Sequence, residues 1–304
     1  MTLVLHKNES TLNWIRSSLG LSNRGVDGRH FYVDPGSSVG DVDSDVEGDA
    51  VFSNLQNAID SCADWRGDLI TCKAGTQTVT TSVLFNKKGI TVEAEGMGMP
   101  LETMGERFMI YGSATDEPAA VISQPCKILG MGFSSEYGST GGHVLQIAGT
   151  GGWNGGFVDL YGCRFTHWGS TKHEQFVYIN GPGNASFIRH CTFDGLFTGI
   201  TNGAIELADH ATGSDGWTLT IENNIFINTT YGIVHESAVA PSDCIYKSNL
   251  FLETKILDNN GCTNTNVLVA DNWSPYATNA TSYDDTVSTL QGLGIAFSDN
   301  HYNE

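Results

Sequence analysis

The segment Ile221-Glu-Asn-Asn224-Ile-Phe226 decides the fold, because its frame recurs along most of the chain. An apolar residue stands three positions before the central residue, and an aromatic residue stands two positions after it. Six more segments share the frame, although the last position of one is Ser274: Ile128-x-x-Met131-x-Phe133, Leu160-x-x-Cys163-x-Phe165, Ile188-x-x-Cys191-x-Phe193, Tyr246-x-x-Asn249-x-Phe251, Val269-x-x-Asn272-x-Ser274 and Phe297-x-x-Asn300-x-Tyr302.

The spacing of these segments varies while their frame does not. The centres lie between 23 residues apart (Asn249 to Asn272) and 33 residues apart (Cys191 to Asn224). Constant strands joined by loops of variable length are typical of stacked solenoid coils. The apolar and aromatic positions should point inward on either side of a bend. Because Asn tolerates left-handed backbone and bonds neighbouring backbone groups, the Asn centres should form a ladder along one edge, with buried Cys163 and Cys191 in that place earlier.

Other segments complete the expected architecture. Further apolar strands between the corners supply another wall of each coil, at 175–179, 204–207, 233–235 and 255–257. The stretch Phe52–Cys62 has helical spacing and predicts a cap over the first coil. We therefore predict an all-β, single-stranded right-handed parallel β-helix with an N-terminal capping helix over residues 31–304. Residues 1–30 lie outside the repeat and are predicted to be an attachment segment with a short amphipathic helix.

Composition excludes several partners. The 304-residue chain has 15 Lys plus Arg against 34 Asp plus Glu, a formal net charge of −19, which disfavours binding to nucleic-acid phosphates. No apolar run is long enough for a signal peptide or a membrane span, so we expect synthesis in a cytoplasm and no membrane insertion. Seven cysteines at irregular spacing fit buried reduced thiols.

Four segments near the N-terminus resemble a known family. They are Phe31-Tyr-Val-Asp-Pro-Gly, Asn54-Leu-Gln-Asn-Ala-Ile-Asp, Gly67-Asp-Leu-Ile-Thr-Cys-Lys-Ala-Gly75 and Gly89-Ile-Thr-Val. Together they resemble the capped beginning of pectate-lyase-like right-handed β-helix proteins, which include many phage tailspike and virion proteins. The resemblance extends by pattern over residues 30–304 and implies a fold more than an activity.

Two groups of residues could carry chemistry. Asp41, Asp43 and Asp45 alternate as in a calcium loop, although a solvated acidic loop is the simpler interpretation. Polysaccharide hydrolysis needs two carboxylates, whereas lyases usually need a carboxylate-bound metal and a basic residue that takes the α-proton. On the wall formed by the further strands the weak catalytic candidates are Glu206, His235 and Glu236, near Tyr178 and Asp258, with Asp209 and His210 in an adjoining loop. The simpler interpretation of these residues is the polar outer face that any solenoid needs.

Aromatic residues in loops leave two interpretations open. Sugar stacking and subunit interfaces both use such side chains, here Trp14, Trp153, Trp168, Trp217 and Tyr161.

The sequence favours a non-enzymatic structural protein of a phage virion, either a capsid decoration (cement) protein or a short spike. Three features favour it over an enzyme: the absence of a signal, a solenoid of modest length, and no convincing paired-acid or metal-plus-base motif. The expected location is the virion surface, and the expected partners are two further copies in a homotrimer and virion proteins such as the major capsid protein. The alternatives are a carbohydrate-active enzyme, as a polysaccharide lyase or glycoside hydrolase, and an adhesin that binds a cell-surface glycan. No cofactor is expected, apart from possible calcium.

Overall fold

The computed structural model describes most of the chain from residue 28 onward. The described residues are 28–36, 50–95, 107–114, 117–136, 142–148, 157–166, 174–180, 185–195, 200–208, 218–236, 241–262, 264, 266–275 and 282–302.

The described chain is built almost entirely of short strands. In chain order the elements are β1 (His30–Val33), β2 (Ala50–Phe52), α1 (Leu55–Ser61), β3 (Leu69–Cys72), β4 (Gly75–Val79), β5 (Val83–Phe85), β6 (Ile90–Ala94), β7 (Phe108–Gly112), β8 (Ala120–Ile122), β9 (Cys126–Leu129), β10 (Gly132–Ser135), β11 (His143–Ile147), β12 (Val158–Tyr161), β13 (Arg164–Thr166), β14 (Gln175–Ile179), β15 (Ser186–Arg189), β16 (Thr192–Asp194), β17 (Ile200–Leu207), β18 (Leu219–Glu222), β19 (Ile225–Ile227), β20 (Thr229–His235), β21 (Ile245–Lys247), β22 (Leu250–Leu252), β23 (Lys255–Asp258), β24 (Val267–Ala270), β25 (Trp273–Ser274), α2 (Val287–Gly292), β26 (Ile295–Ser298) and β27 (His301–Tyr302).

These strands form three parallel sheets, and successive coils contribute one strand to each. Sheet A has the order β2-β1-β3-β6-β9-β12-β15-β18-β21-β24-β26, sheet B runs β4-β7-β10-β13-β16-β19-β22-β25-β27, and sheet C runs β5-β8-β11-β14-β17-β20-β23. Every pairing between strands is parallel, as for β15 with β18 and β16 with β19. The prediction of a parallel β-helix is therefore confirmed.

Helix α1 covers the first coil, as the sequence predicted. The side chain of Asn54 accepts a hydrogen bond from the backbone N–H of Asn57, which caps the first turn. The helix residues Leu55, Ala58 and Ile59 face the first coil and are fully buried. Residues 1–27 lie outside the described residues, so the attachment segment stays a prediction.

A column of aromatic rings fills the interior beside sheet B. Phe133, Phe165, Phe193, Phe226 and Phe251 are all fully buried and occupy the aromatic position of the repeat. Their centroids are 5.2, 4.8, 4.9 and 4.8 Å apart, close to the spacing between strands. The ring planes are nearly parallel to those of their neighbours, so the rings stack along the solenoid axis.

The bend between sheets A and B differs from the prediction in one detail. Positive φ angles fall on the residue before each central position, and not on the central residue itself: Gly130, Gly162, His190, Asn223, Ser248, Asp271 and Asp299. The preceding residue turns the chain, and the central side chain is then free to point inward. Left-handed backbone at the Asn centres is therefore not what makes the ladder.

The Asn ladder itself is present. Asn249 Oδ1 accepts hydrogen bonds from the backbone N–H and the side-chain amide of Asn224, at 3.0 and 3.1 Å. Asn272 and Asn300 repeat both bonds one and two coils further on. Each ladder amide also donates to a backbone carbonyl, as Asn249 does to Ile221. Cys163 and Cys191 are buried at the same position earlier, and all seven cysteines are buried.

Helix α2 was not anticipated by the sequence analysis. Its N-cap Thr286 accepts a hydrogen bond from the N–H of Thr289, and Leu290 is fully buried. Within the part of the chain that the structure describes, neither helix is long and apolar enough to cross a bilayer.

Candidate functional site

Acidic and aromatic side chains line up on the outer face of sheet C. The register pairs Tyr178 with Glu206, Glu206 with Val234, and Val234 with Asp258. These four residues, the "acid row", occupy four consecutive strands at equal height. The sequence analysis placed Tyr178, Glu206 and Asp258 together on one wall, and the structure brings them together. Whether they are catalytic stays a prediction.

Glu206 is largely buried although it belongs to an outward row. Only 7% of it is exposed, and its carboxylate accepts a hydrogen bond from the side-chain amide of Gln175 at 2.5 Å. Gln175 is itself 2% exposed, and its Oε1 has no hydrogen-bond partner among the described residues. Burying a carboxylate is costly, so a position that keeps one is a candidate for function.

Aromatic rings flank this carboxylate along the sheet. His143 stacks on Tyr178 with 4.9 Å between ring centroids. On the other side, the ammonium group of Lys255 lies 5.0 Å from the ring centroid of Tyr231. Rings and hydrogen-bonding groups in alternation are suited to the flat, hydroxylated faces of sugars.

Asp258, at the end of the acid row, has a second carboxylate beside it. Burial raises the pKa of Asp258, the N–H of Asn260 lowers it, and the negative charge of Asp284 raises it again. Asp284 reaches this place because Tyr283 forms a parallel bridge with Leu257 in β23. A carboxyl group whose pKa is raised can keep a proton and act as an acid.

His235, a predicted catalytic candidate, lies inside the solenoid. It is fully buried, and its ring nitrogens contact Asn259 Oδ1 at 2.8 Å and the Tyr246 hydroxyl at 2.9 Å. The register pairs it with Leu207, an inward residue, so a substrate on the outer face does not reach it. Burial lowers its pKa to about 4. Glu236 follows directly after β20, outside the acid row, and is half-buried.

Several other candidates fall outside the described residues. They are the predicted calcium ligands Asp41, Asp43 and Asp45, the loop residues Asp209 and His210, and Trp14, Trp153, Trp168 and Trp217. Within the described residues, no cluster of three or more His, Cys, Asp or Glu side chains could hold a metal ion.

Three members of this surface were missed in the sequence analysis. Gln175 and His143 occupy the first positions of β14 and β11, which a strand alignment could have paired. Asp284 follows a segment that lies outside the repeat, and no sequence pattern connects it with β23.

Comparison with known proteins gives similarity of fold only. No protein-family model and no curated protein sequence matches the chain. Among solved structures it is similar to a PL6 family alginate lyase, at 16% identity and a TM-score of 0.49, covering 91% of this chain and 40% of the lyase. It is also similar to the pectin methylesterase from Aspergillus niger in two glycosylation states. Both comparisons give 12% identity and a TM-score of 0.44, covering 92% and 87% of this chain and 87% of the esterase.

These findings correct the function favoured by the sequence. The resemblance to pectate-lyase-like β-helix proteins is borne out at the level of the fold, whereas the link to phage tailspikes is not shown. The solved structures named above are an alginate lyase and a pectin methylesterase, and none of them is a phage protein. The interpretation as a non-enzymatic virion protein is therefore withdrawn.

Proposed function

We propose that this protein hydrolyses glycosidic bonds of a polysaccharide bound along the outer face of sheet C. The observation that carries the proposal is the acid row, in which Glu206 and Asp258 lie two strands apart at the same height. Two strand spacings separate their backbones by about 9.5 Å. Inverting glycosidases hold their two carboxyl groups about 6.5–9.5 Å apart, which leaves room for a water molecule.

The environments of the two carboxyl groups suit opposite roles. Asp258 is the general acid, because burial and the charge of Asp284 raise its pKa and favour the protonated form. Glu206 is the general base, and the amide of Gln175 holds its carboxylate in position. Val234 lies between them and is 1% exposed, so apolar packing separates the two carboxyl groups.

The reaction balances without any cofactor. Asp258 transfers its proton to the glycosidic oxygen as the bond from that oxygen to the anomeric carbon breaks. Glu206 takes a proton from water as the water oxygen bonds to the same carbon. After the reaction Asp258 is a carboxylate and Glu206 is protonated. Proton exchange with solvent restores the starting state of both residues.

The test is incubation with a panel of neutral and acidic polysaccharides, followed by two measurements. We expect new reducing ends without the absorbance of unsaturated sugars. Glu206→Gln and Asp258→Asn should each lower kcat/KM by at least about 100-fold, the usual share of a general acid or base. Glu236→Gln is the matched control, because it removes a carboxylate just outside the acid row, and it should leave the activity unchanged.

Three outcomes would overturn the proposal. Unsaturated products would indicate a lyase, and binding without any product would indicate an adhesin. Loss of activity in Glu236→Gln alone would place the catalytic site at Glu236 and not in the acid row. None of them affects the fold.

The pH profile of hydrolysis adds a sharper measurement through Asp284. Asp284→Asn removes a negative charge beside Asp258, so the pKa of Asp258 should fall and its proton should be lost at lower pH. We expect the alkaline limb of the kcat profile to move to lower pH, while KM stays the same. An unmoved limb would exclude Asp258 as the acid.

A further inference from the structure

A second surface, on the outer face of sheet A, carries aromatic and basic side chains. We call it the aromatic patch and define it as Lys127, Phe157, Tyr161, Phe187 and Arg189. Its residues belong to three consecutive strands, β9, β12 and β15, or directly precede one of them. The register pairs Tyr161 with Arg189.

Arg189 is held rigidly between two rings. Its Nε and Nη2 donate to the two carboxylate oxygens of Asp159 at 3.0 and 2.7 Å. The guanidinium carbon lies 5.4 Å from the ring centroid of Tyr161 and 5.3 Å from that of Phe187. A fork with two bonds fixes the plane of the guanidinium, and its remaining N–H groups stay available for a ligand.

Phe157 occupies a corner that disfavours a bulky side chain. The residue directly before a strand of sheet A repeatedly has a positive φ, and other coils place Gly89, Ala185, Asn266 or Gly294 there. Phe157 has φ 63° and is 45% exposed, so neither its backbone nor core packing accounts for the ring. A strained and exposed aromatic residue is a reason to look for a function at that position.

The charge of the patch contrasts with that of the whole chain. The chain carries a net charge of −19, yet the patch contains two cations, and Asp159 neutralises only one of them. Lys127 forms no ion pair with any described residue, and its ammonium lies 6.0 Å from the ring centroid of Phe157. The patch is therefore a local site of positive charge, and it complements an anionic ligand.

We propose that the aromatic patch binds a chain of acidic sugars. The rings of Phe157, Phe187 and Tyr161 stack on sugar faces, while Lys127 and Arg189 bind sugar carboxylates. The next strand of sheet A places Glu222 opposite Arg189, and Glu222 is itself paired with Lys247 at 3.1 Å, so the patch keeps its positive charge. The patch spans only about 10 Å, which suits a narrow linear ligand better than a protein partner, whose interface covers roughly 800 Å² on each side. The proposal does not depend on catalysis at sheet C.

The experiment is calorimetric titration of the full chain carrying Glu206→Gln, which prevents the proposed cleavage. The probes are an oligogalacturonate and a neutral malto-oligosaccharide of equal length. We expect the acidic probe to bind, with an affinity that falls as the salt concentration rises. The neutral probe should bind at least tenfold more weakly. Phe157→Asn and Lys127→Gln should each weaken the acidic probe about tenfold, which is 1.4 kcal/mol.

The corner supplies a matched control. Ala185→Asn changes the same backbone position one coil later without removing a ring, so the affinity should not change. Asn suits a left-handed corner, so Phe157→Asn should keep or raise the Tm, and a loss of binding cannot then be a loss of folding. Equal affinity of Phe157→Asn and the parent would overturn the proposal. The proposal would also be overturned if the chain did not bind the acidic probe and light scattering showed self-association that depends on Phe157.

Discussion

The two halves of the solenoid close the same corner with different chemistry. In the N-terminal half the corner between sheets A and B is filled by Met131, Cys163 and Cys191, whose buried side chains make at most weak thiol hydrogen bonds to backbone carbonyls. In the C-terminal half it is filled by the Asn ladder, whose amides bond one another from coil to coil.

The C-terminal half contains a second buried polar group, at the ends of β20 and β23 in sheet C. His235, Asn259 and Asn264 form a buried hydrogen-bonded chain there, and Tyr246 joins it through its hydroxyl. One backbone geometry therefore accepts two interiors. The apolar interior depends on volume, whereas the polar interior depends on complete hydrogen bonding, and the two should fail under different perturbations.

The largest effect is expected from a break in the ladder. Asn249→Ala leaves the backbone N–H of Asn224 and the carbonyl of Ile221 without their partner, and the side-chain amide of Asn224 loses one of its two acceptors. Oδ1 of Asn272 keeps the bond from the backbone N–H of residue 249. Each buried polar group left unsatisfied costs about 1–3 kcal/mol, so we expect a loss of about 5 kcal/mol in the free energy of unfolding. Urea unfolding measures this loss. A change below about 1 kcal/mol would show that the ladder contributes little to the free energy of unfolding.

Removal of a ring from the phenylalanine column should cost the same in both halves. Phe193→Ala lies in the coil of Cys191 and Phe226→Ala in the coil of Asn224, and both rings are fully buried. Each should lose about 4 kcal/mol, as aromatic core deletions do. A difference of more than about 1 kcal/mol between the two variants would mean that the corner and the ring column act together.

Acid should destabilise the C-terminal half selectively. The pKa of His235 falls to about 4 because burial disfavours the charged ring, so the unfolded chain binds its proton at higher pH than the folded chain does. Stability is therefore full above the ordinary pKa of 6.5 and declines as pH falls from there toward 4. The loss should approach about 3 kcal/mol at 1.36 kcal/mol per pKa unit.

Hydrogen exchange between pH 7 and pH 4.5 locates this loss. It should appear in β20 and β21 before β12 and β15. His235→Gln, which cannot take up a proton in this range, is expected to flatten the pH dependence, and an unchanged slope would assign the acid sensitivity to other groups.

The smallest effect is expected at the apolar corner. Cys191→Ala removes one sulfur atom from a packed site and should cost about 1–2 kcal/mol. Cys191 also donates its backbone N–H to Asn224 Oδ1, a bond that the substitution keeps. A loss as large as that of Asn249→Ala would contradict the distinction between the two halves.

The sequence predicted the repeating parts of the fold well. Inward positions such as Ile188 and Phe193 recur in most coils, and the strand at 175–179 has the bounds that the pattern indicated. The residue that turns the corner was not predictable, because Gly130, His190 and Asp271 all take a positive φ and share no side-chain chemistry.

The candidate site was predictable only in its strand positions. Glu206 and Asp258 could be aligned because both belong to repeating strands of sheet C. His235 could not be assigned to the interior from its type, since a histidine in a strand is equally suited to an outer face. The partner of Asp258 comes from outside the repeat, and contacts between distant segments leave no local pattern.

The corner described above makes each coil a removable unit. Residues 225–249 run from one ladder position to the next, and Asn224 and Asn272 present the same bonding groups to whatever lies between them. A deletion of these residues would bring Asn224 and Asn272 into neighbouring coils, with no change in register. The chain can thus be lengthened or shortened by whole turns through duplication or loss of a gene segment, provided that each inserted turn brings an asparagine to the corner.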